Sequence, residues 1–264
     1  MKALRVEILG IGLLGPGLTD WASGAALLRE PARRPALATQ IPAPARLAPT
    51  ERRRAGPAVK AAIVVADQAI AASGLDAATL ATVFASSTGE PSNCHALCEA
   101  LATPERLVSP TRFTNSVHNA AAGYWHIAAH STAPSTSLGA HDASFGAGLL
   151  EAAAQCVANG QPVLLVACDV PYPEPLHSKR PLADTFGVAF VLAPVQGAGA
   201  RFAVGLGADA PPSTCRDATL EALRLGNPAA RALPLLEAIA LRTAGSFVVE
   251  GLDGIALQVE LENP

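Results

Sequence analysis

Three stretches of this chain hold residue types that could do chemistry. Asp142-Ala143-Ser144-Phe145-Gly146 falls where an apolar strand gives way to an alanine-rich helix, and a helix N-terminus favours the negative charge of an activated nucleophile. The stretch is not Gly-x-Ser-x-Gly, and only His177 lies downstream as the hydrolase order requires. One reading is therefore a stand-alone acyl-thioester hydrolase or decarboxylase using Asp142, Ser144 and His118. The plainer one makes Asp142 or Ser144 a helix N-cap. Gly10-Ile11-Gly12-Leu13-Leu14-Gly15 follows a strand and matches the dinucleotide fingerprint in form. Pro16-Gly17 come at once, however, and a proline-rich stretch follows. Tight turns where a strand leaves the sheet explain these glycines better. Cys94-His95-Ala96-Leu97-Cys98 sets two sulfurs one turn apart on a helix face. No second Cys/His cluster completes four ligands, so the pair reads as structural thiols and no metal or cofactor is expected.

The elements that would carry these residues alternate. Apolar runs at Leu4–Leu9, Thr82–Ser86, Thr136–Gly139, Pro162–Ala167, Phe186–Leu192, Phe202–Gly207, Ser246–Glu250 and Ile255–Leu261 read as strands. Helical period marks Thr19–Leu28, Val59–Ser73, His95–Ala102, Ala120–His130, Ser144–Ala158, Asp217–Leu225 and Ala229–Thr243. Such alternation predicts an α/β fold: a mostly parallel mixed sheet covered by helices on both faces, with the last two strands as an antiparallel hairpin. No internal repeat or clean linker breaks residues 1–264, so one domain is expected.

Composition narrows the function. Half of the residues are apolar and 4% aromatic, which suits close helix–sheet packing of small side chains. A net charge of −3 speaks against nucleic-acid binding. No apolar run reaches membrane-spanning length. Five scattered cysteines fit reduced, buried thiols and a cytoplasmic location. Between Arg29 and Lys60, eight basic residues face two acidic ones among six prolines. Residues 29–57 therefore read as an extended surface loop, either simply solvated or docking an acidic partner through Arg52, Arg53 and Arg54.

The middle of the chain is more specific. Ser109-Pro110-Thr111-Arg112-Phe113-Thr114-Asn115-Ser116-Val117-His118-Asn119-Ala120-Ala121-Ala122-Gly123 runs into a helix, and Ala133-Pro134-Ser135-Thr136-Ser137 leads to the Asp142 junction. This resembles the N-terminal half of β-ketoacyl synthases, of the thiolase-like superfamily. There an Asn-x-x-(Ala)-Gly helix precedes a Gly-Pro-x-x-Ser strand, a Thr-Ala-Cys-Ala-Ser junction and a long alanine-rich helix. Asn119 through Pro134 to the junction aligns without a gap. Arg5–Gly12 resembles the family's opening strand, and Phe186–Leu192 a later one, so the resemblance covers about residues 3–195.

The resemblance implies that Asp142 stands at the place of the nucleophilic cysteine, flanked by His141 where alanine is usual. A carboxylate cannot form the acyl thioester. The family also takes two catalytic histidines from its second half, whereas all six histidines here lie at or before His177. The implied protein is a non-catalytic, chain-length-factor type subunit, as in aryl-polyene or type II polyketide systems. It would pair with a full-length ketosynthase and work on an acyl carrier protein. By the same resemblance, the strand Pro134, Ser135, Thr136, Ser137, Leu138, Gly139, Ala140 and the helix from Asn119 form the interface. Arg112, Phe113 and Ser116 would reach the partner's acyl tunnel.

Overall fold

The computed structural model describes residues 3–197, 200–208, 210–251 and 254–262. Eight strands form one mixed sheet: β1 (Leu4–Leu14), β2 (Ala81–Ala85), β3 (Ser135–Leu138), β4 (Val163–Asp169), β5 (Phe186–Pro194), β6 (Arg201–Ala208), β7 (Gly245–Val249) and β8 (Ile255–Glu262). Their spatial order is β3-β2-β4-β5-β1-β6-β8-β7. The helices are α1 (Trp21–Arg29), α2 (Pro49–Arg54), α3 (Pro57–Ser73), α4 (Pro91–Ala102), α5 (Pro110–Thr114), α6 (Ala120–Ala129), α7 (Ser144–Asn159), α8 (Leu176–Lys179), α9 (Ala218–Gly226) and α10 (Leu233–Leu241).

Side chains of each central strand alternate between two cores, as a period of two requires. Val163, Leu165 and Ala167 of β4 point to the layer of α1, α7, α9 and α10. Leu164, Val166 and Cys168 point to the layer of α3 and α6. The expected two-faced cover and the C-terminal hairpin are both present.

The strand directions differ from expectation. β2 runs parallel to β3 and to β4, but β4–β5, β5–β1, β1–β6, β6–β8 and β8–β7 are antiparallel. The sheet is mixed, with parallel pairing confined to one end. The reason is connectivity: β4 reaches β5 through a loop holding only the short α8, with no crossover helix to keep the direction.

Two local readings also change. Gly10 and Gly12 lie inside β1, not in a turn. A Cβ on Gly10 would come 2.1 Å from the carbonyl oxygen of Ala69, and one on Gly12 1.9 Å from that of Val65. They let α3 lie directly on the strand, which is why the fingerprint holds no nucleotide loop. The proline-rich segment is not all extended, since α2 starts at Pro49 and a 3₁₀ turn starts at Pro31. Proline at a first helical position initiates a helix because its missing N–H is not needed there. Arg52, Arg53 and Arg54 then fall in the last turn of α2, where the helix dipole favours cations.

Candidate functional site

Asp142 sits in a 3₁₀ turn, His141–Ala143, that runs straight into α7. His141 takes a left-handed φ of 53°, an unusual conformation for a residue with a Cβ. Ser144 holds this turn. Its buried Oγ donates to the carbonyl of His141 at 2.7 Å and accepts from the N–H of Ala140 at 3.0 Å. Neither Asp142 nor Ser144 is the N-cap; Ala143 occupies that place and offers no side-chain bond.

Arg180, just past α8, donates to Asp142 Oδ1 at 2.7 Å and to Ser87 Oγ at 2.6 Å. The neighbouring residues bind the end of β4: Asp169 accepts from Ser86 Oγ at 2.9 Å, Ser87 N–H at 2.7 Å and Thr88 N–H at 3.1 Å. Burial pushes the Asp169 carboxyl up, against the pull of these donors. Asp142 is thus held in an ion pair stitched to the loop after β2. His118 Nε2 donates to the carbonyl of Ser86 at 2.9 Å. Among the described residues no hydrogen bond joins Ser144 Oγ to an imidazole ring, its histidine contact being with the backbone carbonyl of His141, so the serine–base pair that a hydrolase needs is not formed.

Near that loop, Glu90 is only 3% exposed. Its Oε2 accepts from the N–H of Val59 in the first turn of α3 at 3.4 Å, and Oε1 has no partner. Burial pushes the carboxyl up to about 7, while the helix amides and Lys60 pull it down. The small cavity beside it, lined by Ala58, Phe84, His118 and Cys168 among others, is about 20 Å³ and has room for one water.

The expected interface residues come together at one edge. β3 is the terminal strand, bonded only to β2. Thr82 N–H bonds to the carbonyl of Pro134 and Ser86 N–H to that of Leu138. Because N–H and C=O alternate sides along a strand, the backbone groups of Ser135, Ser137 and Gly139 face outward, unpaired. A groove of Asn119, Ala122, Gly123, His126, Ser135 and Ser137 runs beside them, and a Cβ on Gly123 would meet nothing within 4 Å. Leu107 (79% exposed), Phe113 (64%), Val117 and Ile127 (69%) leave apolar surface open on α5, α6 and their approaches.

The expected tunnel-contact and docking residues are also neighbours. Asn115 Nδ2 donates to the carbonyl of Arg54 at 3.2 Å, tying α2 to the α5–α6 segment. Arg54 pairs with Glu51 at 3.5 Å, whereas no ion pair holds Arg52, Arg53 or Arg112 among the described residues. Sequence reasoning missed Arg180, Ser87, Asp169 and Glu90.

Such a sheet, with a left-handed turn feeding a long buried helix, defines a thiolase-like α/β protein. Residues 21–238 match the family model of the β-ketoacyl synthase N-terminal domain, and the chain belongs to that family. Solved structures agree on the fold. A chain from a ketosynthase in complex with its chain length factor from Xenorhabdus doucetiae superposes with a TM-score of 0.72 at 24% identity, covering 97% of this chain and 99% of that one. A chain of the ishigamide ketosynthase/chain length factor gives 0.73 at 15%, covering 97% and 99%. One from a type II polyketide synthase acyl-carrier protein in complex with its ketosynthase gives 0.76 at 14%, with both chains fully covered. No curated protein matches. Among the described residues no helix is long and apolar enough to cross a membrane.

Proposed function

We propose that this chain is the non-catalytic, chain-length-factor subunit of a ketosynthase heterodimer, and that residues 1–264 form one thiolase-like domain. The observation that carries this reading is the open face. The unpaired backbone of β3 borders a groove along α6 that shares Asn119 and Gly123 with a second groove holding the exposed Val117 and Ile127, and free edges of this kind are covered in stable proteins. A ketosynthase partner presenting its own equivalent strand would pair antiparallel with Ser135–Gly139 and join two sheets into one.

The Asp142 junction supports the same reading. Its carboxylate is spent on Arg180, and a carboxylate at that place forms no condensing thioester. The partner would supply the cysteine and both histidines, while Arg112, Phe113 and Ser116 would abut its acyl tunnel and limit chain length by bulk. The acyl carrier protein would dock near the seam, with Arg52 and Arg53 offering charge to its acidic surface. The five free thiols support a cytoplasmic setting. Polyene, polyketide and fatty-acid-like products all fit this role.

Co-expression with the candidate full-length ketosynthase tests the pairing. We expect a stable one-to-one complex burying roughly 2,000 Å² or more; two subunits that purify apart at micromolar concentration would contradict the assignment.

A further inference from the structure

The fold sorts the five free cysteines into two groups: Cys156, Cys168 and Cys215 are buried, whereas Cys94 and Cys98 are exposed on α4. Burial pushes the Cys156 thiol up to about 11. α4 buries only Pro91 and Asn93, so the turn holding the exposed pair does no core packing and the expectation of structural thiols fails there.

Spacing of four residues stacks the two exposed side chains on one face of α4. His95 does not join them, because its Nε2 lies 3.3 Å from Glu99 one turn on. No group of three or more potential metal ligands forms among the described residues. The result is a two-sulfur site with no third protein donor, so tetrahedral zinc is not completed by this chain.

Geometry decides what such a pair can do. A disulfide needs Cβ atoms about 3.5–4.5 Å apart, whereas a regular helix holds positions i and i+4 at about 5–6 Å. A single bridging atom spans the wider gap, because each sulfur–metal bond adds about 2.3 Å. We propose that Cys94 and Cys98 form a dithiol site for a soft, thiophilic atom of low coordination number, of the Cu(I) or trivalent arsenic class. With an organoarsenic(III) oxide the step balances without oxidation. Both S–H protons leave with the oxide oxygen as one water, and two As–S bonds replace the As–O bonds.

The test uses the full chain and phenylarsine oxide. Native thiol titration should find two reactive thiols, and one equivalent of the arsenical should protect both. Intact-mass spectrometry should show a single adduct. Cys94→Ser and Cys98→Ser should each keep one reactive thiol and bind the arsenical at least tenfold more weakly, with unchanged circular dichroism. Diamide should oxidise the pair to an intrachain disulfide more slowly than it oxidises a flexible dithiol such as dithiothreitol. Single variants that bind as tightly as the parent, or a Cys94–Cys98 disulfide closing as readily as dithiothreitol, would overturn the proposal.

Discussion

The Asp142 junction and the β3–α6 face treat polar groups in opposite ways. At the junction, the Ser144 hydroxyl, the Asp142 carboxylate and the Arg180 guanidinium are spent on one another or on nearby backbone. At the face, outward N–H and C=O groups of β3 and several large apolar side chains stay unsatisfied. The Asp142 junction is closed on itself, and the β3 edge remains open. In the function proposed above, the closed place is where a ketosynthase would hold its nucleophile and the open one is where the partner would sit.

The strongest way to break the comparison is at the open edge. Ser137→Pro removes an outward N–H without touching the bonds from β3 to β2. Co-purification with the ketosynthase should fall at least tenfold while the lone chain keeps its circular dichroism. Full yield of the complex would place the interface elsewhere. Ser116→Trp should leave the complex intact and shift products to shorter chains, read by mass spectrometry of extracted product. Unaltered products would remove this segment from length control.

Glu90 sharpens the contrast from inside. Its folded pKa of about 7 lies above the ordinary carboxylate value, so the folded state binds the proton more tightly than the unfolded one. Stability should therefore fall as pH rises from about 4.5 to 7 and stay low above that, a loss of roughly 3 kcal/mol. Glu90→Gln keeps an acceptor for the α3 amides and should flatten this slope in denaturant titrations at pH 5 and 8. A variant with the parent's slope would show that another group titrates. The smallest effect is expected at α2. Reversing Arg52, Arg53 and Arg54 to Glu should weaken carrier-protein binding several-fold at low salt and reduce its salt dependence. Equal affinity would leave α2 a solvated helix.

Much of this was legible in the sequence, for identifiable reasons. Every strand but β3, which reads Ser-Thr-Ser-Leu, carries an apolar run, and the spacing from Asn119 through Pro134 to Asp142 marked the strand-to-helix junction. Strand direction was not legible, because it depends on the length and helicity of the β4–β5 connection and not on the strands themselves. Nor was α2, since prolines at 42, 44, 49 and 57 argue against a helix unless one of them is its first residue. Arg180 lies 38 positions from Asp142 in a loop with no motif; only the folded chain brings them together. Cys94 and Cys98 misled because helical spacing alone does not say which face of α4 is buried.

The central claim is that this chain assembles with a condensing enzyme and carries no acyl group itself. The most direct measurement loads the reconstituted complex with acyl-carrier protein and weighs both subunits by intact-mass spectrometry. The account predicts a stoichiometric acyl adduct on the ketosynthase and none on this chain, and no condensation by the lone chain even as Asp142→Cys. That variant also loses the half-exposed Arg180 pair, at a cost of up to about 1 kcal/mol. A stoichiometric acyl adduct on the unaltered chain would contradict it.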